Sequence, residues 1–367
     1  MAERIATPVA AGQPDLRAAT TGAQVRAAAA RMGVSPNALA PALLDPNARV
    51  LVGDAGCAHL RRQWNPDGTP EVVVLPSPGI DLTRPEILAA AAGWGCERVR
   101  HKFDDRSVSV PAPAEDAPLT VRFRHLAALA ASRVEIAVAL ARDDAGDTVK
   151  ADGSLSLAAD DAADRAAVAV LGLLGVPILS EERPDRTVRD SEPWVVLDPL
   201  DGTGNFRAGV PPWAFSAALV QHGRPLAGVV VDISSGRRWE GAAGAGAWRD
   251  GTPVRAREGT TVIVPSAPAG DAVRVPPSAR RIRVTGCTAV ELCLVADGSA
   301  AAWHDVDRGG THVHDVAGGL AVLAAAGGVA LTPDGEPLLL RPDTETLIRL
   351  VAAGSAGTAR ELLRGVG

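Results

Sequence analysis

Apolar positions along the chain fall into helix-like and strand-like runs, separated by Gly- and Pro-rich punctuation. From Val121 to Arg142 and from Leu157 to Leu174 they recur at three- and four-residue steps. That spacing predicts two helices with one apolar face each, the second closed by Gly175. Val176–Ser180 and Trp194–Asp198 are short apolar runs that predict strands, and Asp198 and Pro199 end the second. Ala214–Val220 and Leu226–Ile233 predict paired strands around His222-Gly223, and Trp239–Trp248 predicts a further hairpin. Next come a strand at Ile282–Thr285, a helix at Ala289–Ala296, a strand at Ala300–Trp303 and a helix at Asp315–Ala325. A strand at Thr346–Val351 and a helix at Gly357–Leu363 close the chain. Helices and strands alternating in pairs predict a layered α/β architecture.

The first third reads differently. A helix at Thr21–Met32, strands at Arg49–Val52 and Glu71–Leu75, and a helix at Arg84–Trp94 predict a small α/β or α+β unit. The stretch Val110 to Pro118, with three prolines and the acids Glu115 and Asp116, reads as a linker and sets a domain boundary near residue 117. Residues 1–117 then form an N-terminal domain, and 118–367 a second. Ala23 to Leu44 has the pattern of a helical hairpin turning at Gly33–Pro36. A DNA-reading role is disfavoured, because the second helix offers Asn37 and little basic character to a groove. Cys57-Ala58-His59 has no further metal ligands nearby.

Composition narrows the functional classes. The 367 residues are comfortable for two domains, and 47% hydrophobic against 22% charged residues describes a soluble globular protein. A net charge of -6 argues against a general nucleic-acid binder. An acidic protein with an anionic substrate needs a local source of positive charge, and a bound metal is one. The four cysteines show no CxxC spacing and read as small apolar residues in a reducing compartment. Met1–Gln13 lacks the apolar stretch of a secretory signal, and no run approaches a membrane span. A cytoplasmic protein without membrane partners is the expectation.

Candidate chemistry lies in the carboxylates Asp160, Glu181, Glu182, Asp198, Asp201 and Asp315, each at a strand end or helix edge. Asp198 and Asp201 are three apart in a segment tightened by Gly202, so that both carboxylates and the Leu200 carbonyl can converge. Taken alone, Asp-Pro-Leu-Asp-Gly could equally be a turn. As hard oxygen donors these groups suit Mg²⁺ or Mn²⁺. Two such ions roughly 3.5–4 Å apart can clamp the oxygens of a phosphoryl displacement. Asp160 shares a helical face with Asp164, which favours Asp160 over Asp161 as the inward acid.

Trp194-Val-Val-Leu-Asp-Pro-Leu-Asp-Gly-Thr-Gly-Asn-Phe206 resembles the central signature of the inositol monophosphatase family. Ser180-Glu181-Glu182 resembles the family's acidic turn, and Lys150-Ala-Asp-Gly-Ser154 with Asp160 resembles the entry to its second helix. His314-Asp-Val-Ala-Gly318 resembles its Trp-Asp-Val-Ala-Gly helix start. Gly209–Ser216 and Gly286–Ala289 also fit. The resemblance covers about residues 118–367 and implies a five-layer α-β-α-β-α sandwich, usually a homodimer. It implies a phosphomonoester hydrolase that uses two to three Mg²⁺ ions, with Mn²⁺ as a substitute, and a Mg²⁺-activated water. Glu181, Asp198 and the Leu200 carbonyl would hold a first ion, and Asp198, Asp201 and Asp315 a second. Asp160, with Glu181, would act through waters on a third. Thr203, bonded to Asp160, would orient the water with help from Glu181, and the N–H groups of Gly202 and Thr203 would cradle the phosphate.

Some positions depart from the family pattern. His314 stands where the family has Trp, either as a packing residue or, with His304 and His312, as part of a more polar substrate pocket. Asp305 sits where an acid often accepts bonds from substrate hydroxyls, and Val306–Val313 is longer than usual. Gly204-Asn205-Phe206 is closer to the inositol-phosphate branch, which implies an inositol, sugar or polyol phosphate as substrate. Histidinol phosphate and 3′(2′),5′-bisphosphate nucleotides are the alternatives, and a non-catalytic binding member is the competing class.

Overall fold

The structure, a computed structural model, describes residues 15–54, 56–65, 67–142, 148–149, 155–156, 158–183, 188–266, 278–306 and 309–364. The chain divides into two compact units, Met1–Ala92 with Cys96–Pro111, and Gly93–Gly95 with Ala112–Gly367.

In the first unit six strands lie side by side in chain order. They are β1 (Arg17–Ala18), β2 (Ala48–Gly53), β3 (Gly56–Trp64), β4 (Pro70–Pro76), β5 (Arg98–His101) and β6 (Ser107–Ser109). Neighbours are antiparallel except β4 and β5, which are parallel and joined through helix α3 (Pro85–Gly93). Helix α1 (Gly22–Met32) starts at a Thr21–Gln24 capping box and ends where Gly33 turns left-handed. The hairpin expected over Ala23–Leu44 is truncated. Its second arm is a single turn, α2 (Pro36–Leu39), followed by a 3₁₀ turn at Ala40–Leu43. Pro41 cannot donate to Asn37, and its ring would clash there in a longer helix. Cys57 is a core residue, buried with Val25, Ala28 and Val50.

The second unit is a five-layer sandwich. Helices α4 (Leu119–Ala141) and α5 (Ala158–Leu171) form the outer layer, with a two-stranded ribbon of β7 (Thr148–Val149) and β8 (Leu155–Ser156). Lys150–Ser154 lies outside the described residues. Next comes a seven-stranded sheet, β15 (Thr252–Val254), β14 (Gly246–Arg249), β13 (Arg237–Ala242), β12 (Arg224–Asp232), β11 (Ala214–Gln221), β10 (Trp194–Asp201) and β9 (Ile178–Ser180). Only β9 and β10 run parallel. Helices α7 (Thr288–Ala296) and α8 (Val313–Ala325) form the middle layer. Beyond them lies a five-stranded sheet, β17 (Arg281–Arg283), β16 (Thr261–Ile263), β18 (Ala302–Asp305), β20 (Leu350–Ala353) and β19 (Val329–Leu331). Helix α9 (Ala356–Arg364) packs outside that sheet.

Small residues let these layers close. On α5, Ala159, Ala163, Ala167 and Leu171 recur every four residues and bury against α4 and the sheet. On α8, a Cβ at Gly318 would stand 2.3 Å from Ser216 Oγ and 3.2 Å from Ala217 N, so glycine lets this helix approach the sheet without moving the Ser216 side chain. The strand expected at Thr346–Val351 begins four residues later, because Ile348 instead bridges to Thr311.

Candidate metal centre

Every residue of β10 is buried. The sequence predicts that Pro199 ends this strand, yet it continues to Asp201. Pro199 has no N–H for the ladder, and the strand passes it with a bulge: Asp198 pairs with Ser216 and Asp201 with Ala214, three residues against two. In a regular strand, residues three apart face opposite ways, and one extra residue cancels that alternation. The bulge therefore brings Asp198 and Asp201 to one side. Asp315 arrives on the first turn of α8. One ligand atom from each of Asp198, Asp201 and Asp315 lies within 4.8 Å of the others.

Orienting bonds hold each acid. Asp198 Oδ1 accepts the Leu200 N–H at 3.0 Å. Asp201 Oδ2 accepts the Ala289 N–H, at the start of α7, at 2.7 Å and the Cys287 thiol at 3.1 Å. Asp315 Oδ2 accepts the Thr311 hydroxyl at 2.6 Å and the His312 N–H at 2.9 Å, closing a capping box at the start of α8. For Asp201 and Asp315 these bonds all fall on one oxygen.

Electrostatics set this cluster apart. Burial first, then the charges of Glu181, Asp201 and Asp315, push the Asp198 carboxyl well above the usual carboxylate range. Burial and then Asp315 push Asp201 up to about 8, against the lowering bonds from Ala289 and Cys287. Burial and the nearby Asp201 also push the Cys287 thiol up. Among the described residues neither Asp198 nor Asp201 has an Arg or Lys partner; Asp315 has only His314, whose Nε2 stands 3.7 Å from Oδ1. An all-oxygen donor set, with no Arg or Lys partner among the described residues, fits a hard divalent cation.

The other candidates surround this triad. Asp160 is buried and Asp161 exposed. The Thr203 hydroxyl lies 3.2 Å from Asp160 Oδ1 and 3.1 Å from the Leu200 carbonyl. Gly202 is left-handed at φ 86° directly before helix α6 (Thr203–Ala208), and a Cβ there would press on the Pro212 carbonyl at 3.1 Å. Glu181 opens the turn after β9 and acts on Asp198 through its charge. It and Asp160 lie outside the mutually close three-acid set. Asp305 and His304 are buried at the end of β18. His314 is buried and its ring stacks on His312 with centroids 5.1 Å apart.

Three tethers escaped sequence reasoning. Glu291, fully buried on α7, accepts N–H bonds from Thr285 and Gly286 and the Trp303 indole N–H, fixing the loop that leads to Cys287. Asn205 Nδ2 ties the Pro212 and Thr285 carbonyls together at 2.9 and 2.8 Å. Asp164 bonds both Ser180 and Arg183. An acid inside the apolar run Ala289–Ala296 was the visible signal for the first, and the Asp160–Asp164 spacing for the third.

A family model described as the inositol monophosphatase family matches residues 124–364, and the chain belongs to that family. A curated fructose-1,6-bisphosphatase/inositol-1-monophosphatase from Thermococcus kodakarensis is 33% identical over 152 residues, covering 41% of this chain and 59% of that relative. A histidinol-phosphatase from Mycobacterium tuberculosis is 45% identical over 74 residues, 20% of this chain and 28% of its own. The chain thus spans less than two thirds of the length of these relatives. Among solved structures, a hypothetical protein from Pyrococcus horikoshii with similarities to inositol-1 monophosphatase superposes at TM-score 0.59 and 24% identity, over 68% of this chain and 99% of its own. At that identity the likeness speaks for the shared fold. No described helix is long and apolar enough to cross a membrane.

Proposed function

We propose that this chain is a divalent-metal-dependent phosphatase of small phosphomonoesters, carried by residues 118–367. The observation that carries the reading is the convergence of the carboxylates of Asp198 and Asp201, both buried, and Asp315, partly exposed, a group of acids that a divalent cation would offset. These three, with Glu181 and the Leu200 carbonyl, would hold Mg²⁺ or Mn²⁺, and Asp160 would act on a further, weaker ion. When bound, the metal supplies positive charge for the phosphate oxygens and acidifies water.

The chain's own residues do the rest. The Thr203 hydroxyl proton is shared between two acceptors, Asp160 and Leu200 O, so the oxygen's lone pairs accept from the attacking water and orient it. Asp160 and Glu181 would be the carboxylates that take its proton. The left-handed Gly202 leaves its own N–H and that of Thr203 for the phosphate. Asp305 and His314 line the substrate side.

Substrate class rests on relatives and on residues 204–206, which support an inositol, sugar or polyol phosphate. The 45% identical stretch of a histidinol-phosphatase supports histidinol phosphate as a second reading, with 3′(2′),5′-bisphosphate nucleotides as a third. A cytoplasmic homodimer completes the proposal and is checked by sedimentation. Removing residues 1–115 is expected to leave a folded, active remainder. The main test is phosphate release, with and without Mg²⁺, from inositol 1-phosphate, fructose 1,6-bisphosphate, histidinol phosphate and an adenosine 3′,5′-bisphosphate. Release from at least one, abolished by chelation, is expected. No release from any while Mg²⁺ is bound would leave a non-catalytic binding protein.

A further inference from the structure

Glu181 sits in a turn from Ser180 to Arg183 that a β-bridge closes, with Arg183 N donating to Ser180 O at 3.1 Å. Both ends of this turn also hold one carboxylate. Ser180 Oγ donates to Asp164 Oδ1 at 2.7 Å, and Arg183 Nε donates to Asp164 Oδ2 at 2.6 Å. Glu181 N, between them, donates to Leu197 O on β10 at 3.1 Å. The Asp164 side chain is 5% exposed and that of Arg183 33%, so the ion pair is shielded on the acid's side and charge-assisted.

Asp164 lies one helical turn after Asp160, on the same face of α5, and both are buried. Asp160 takes the Thr203 hydroxyl, while Asp164 takes the frame around Glu181. One helix face thus supplies Asp160 and holds the other two groups assigned to the attacking water, Thr203 and the turn of Glu181. A plain surface turn would not need three separate ties within four residues.

We infer that Asp164, acting through Ser180 and Arg183, is a positioning residue that sets where the Glu181 carboxylate stands relative to Asp198 and Thr203. This rests on the phosphatase reading above. Outer partners of this kind hold a ligand's geometry, and their loss typically weakens metal binding or activity by about 10- to 100-fold.

The test uses the full chain as Asp164→Asn, Arg183→Gln and the double variant. Arg183 is partly solvated, so its variant keeps α5 untouched if Asp164→Asn fails to fold. Mn²⁺ binding is read from the free-ion electron paramagnetic resonance signal, without turnover. The rate is read as kcat and KM on the substrate that the wild type hydrolyses. Each single variant is expected to weaken Mn²⁺ binding or lower kcat by about tenfold or more, with KM within threefold. The double variant is expected to be no worse than the poorer single one, since both cut one tie. Unchanged kcat and Mn²⁺ binding in the folded variants overturns the assignment. So does a loss of rate that only tracks the loss of folded protein. A wild type that binds Mn²⁺ but releases no phosphate sinks the phosphatase reading alone, because the Mn²⁺ arm still decides the role of Asp164. A wild type that binds no Mn²⁺ sinks both.

Discussion

Glu71, on β4 of the first unit, and Asp198, on β10 of the second, are each 1% exposed, yet their surroundings treat them in opposite ways. Burial pushes Glu71 up, but hydrogen bonds from Gln63 and Arg100 and the charges of Arg100 and Arg98 more than offset it, leaving the carboxyl below its usual range. Gln63, Arg98 and Arg100 each donate at 3.1 Å. Asp198 receives one backbone bond and faces three other acids. Glu71 is a finished structural ion network, whereas among the described residues the three-acid cluster at Asp198 has no Arg or Lys partner. Folding can maintain such a deficit only if a bound cation or bound protons make it up.

Asp201→Asn should separate the two regions most sharply. It keeps the shape and the bonds to α7 while removing a ligand charge, so phosphate release should fall by about 10³-fold or more. Its metal-free Tm should stay level or rise, because a like-charge repulsion is gone. A near-normal rate would break the metal assignment.

Glu71→Ala should do the reverse. It strands Arg98 and Arg100, which are 49% and 34% exposed. Partial solvation softens the penalty, so a loss of about 2 kcal/mol is expected in urea unfolding. Phosphate release at a temperature where the variant is folded should not change. A stability change that Mg²⁺ reverses would contradict the distinction between the two regions.

The smallest expected effect is one of pH. Asp201 titrates near 3.8 when unfolded and about 8 when folded without metal. Between those values the folded chain binds more protons than the unfolded one, so its contribution is full below about pH 4 and is lost as pH rises toward 8. The metal-free Tm should therefore fall from pH 5 to pH 8, by roughly 5 °C. Mg²⁺ should lift it more at pH 8 than at pH 5, since the ligands bind metal only when deprotonated. A Tm that rises with pH in chelator would contradict the charge deficit.

Local patterns were readable in the sequence. The helices over Leu119–Ala141 and Ala158–Leu171, the β11–β12 pair and the acids around Asp198 follow from short-range periodicity and from one contiguous motif. What was hidden depends on partners distant in the chain or on an exception to a rule. Pro199 reads as a strand end, and only pairing with β11 shows that a bulge carries β10 past it and turns Asp201 beside Asp198. Pro41 cuts short a helix that apolar spacing alone would extend. Strand β3 carries Arg61, Arg62 and Gln63 in succession, which masks its alternation, although Arg62 is 7% exposed in the sheet. The tether of Asp164 spans 16 and 19 residues, so half of it, the spacing from Asp160, was visible and its partners were not.

The central claim is that a divalent cation completes the Asp198, Asp201 and Asp315 cluster. Calorimetric titration of the metal-free chain with Mg²⁺ at pH 7, in two buffers of different ionisation enthalpy, tests it directly. The account predicts saturable binding with proton release, because raised carboxyls must deprotonate to bind, and at least tenfold weaker binding in Asp201→Asn. Absent binding, binding without proton release, or equal affinity in the variant would contradict it.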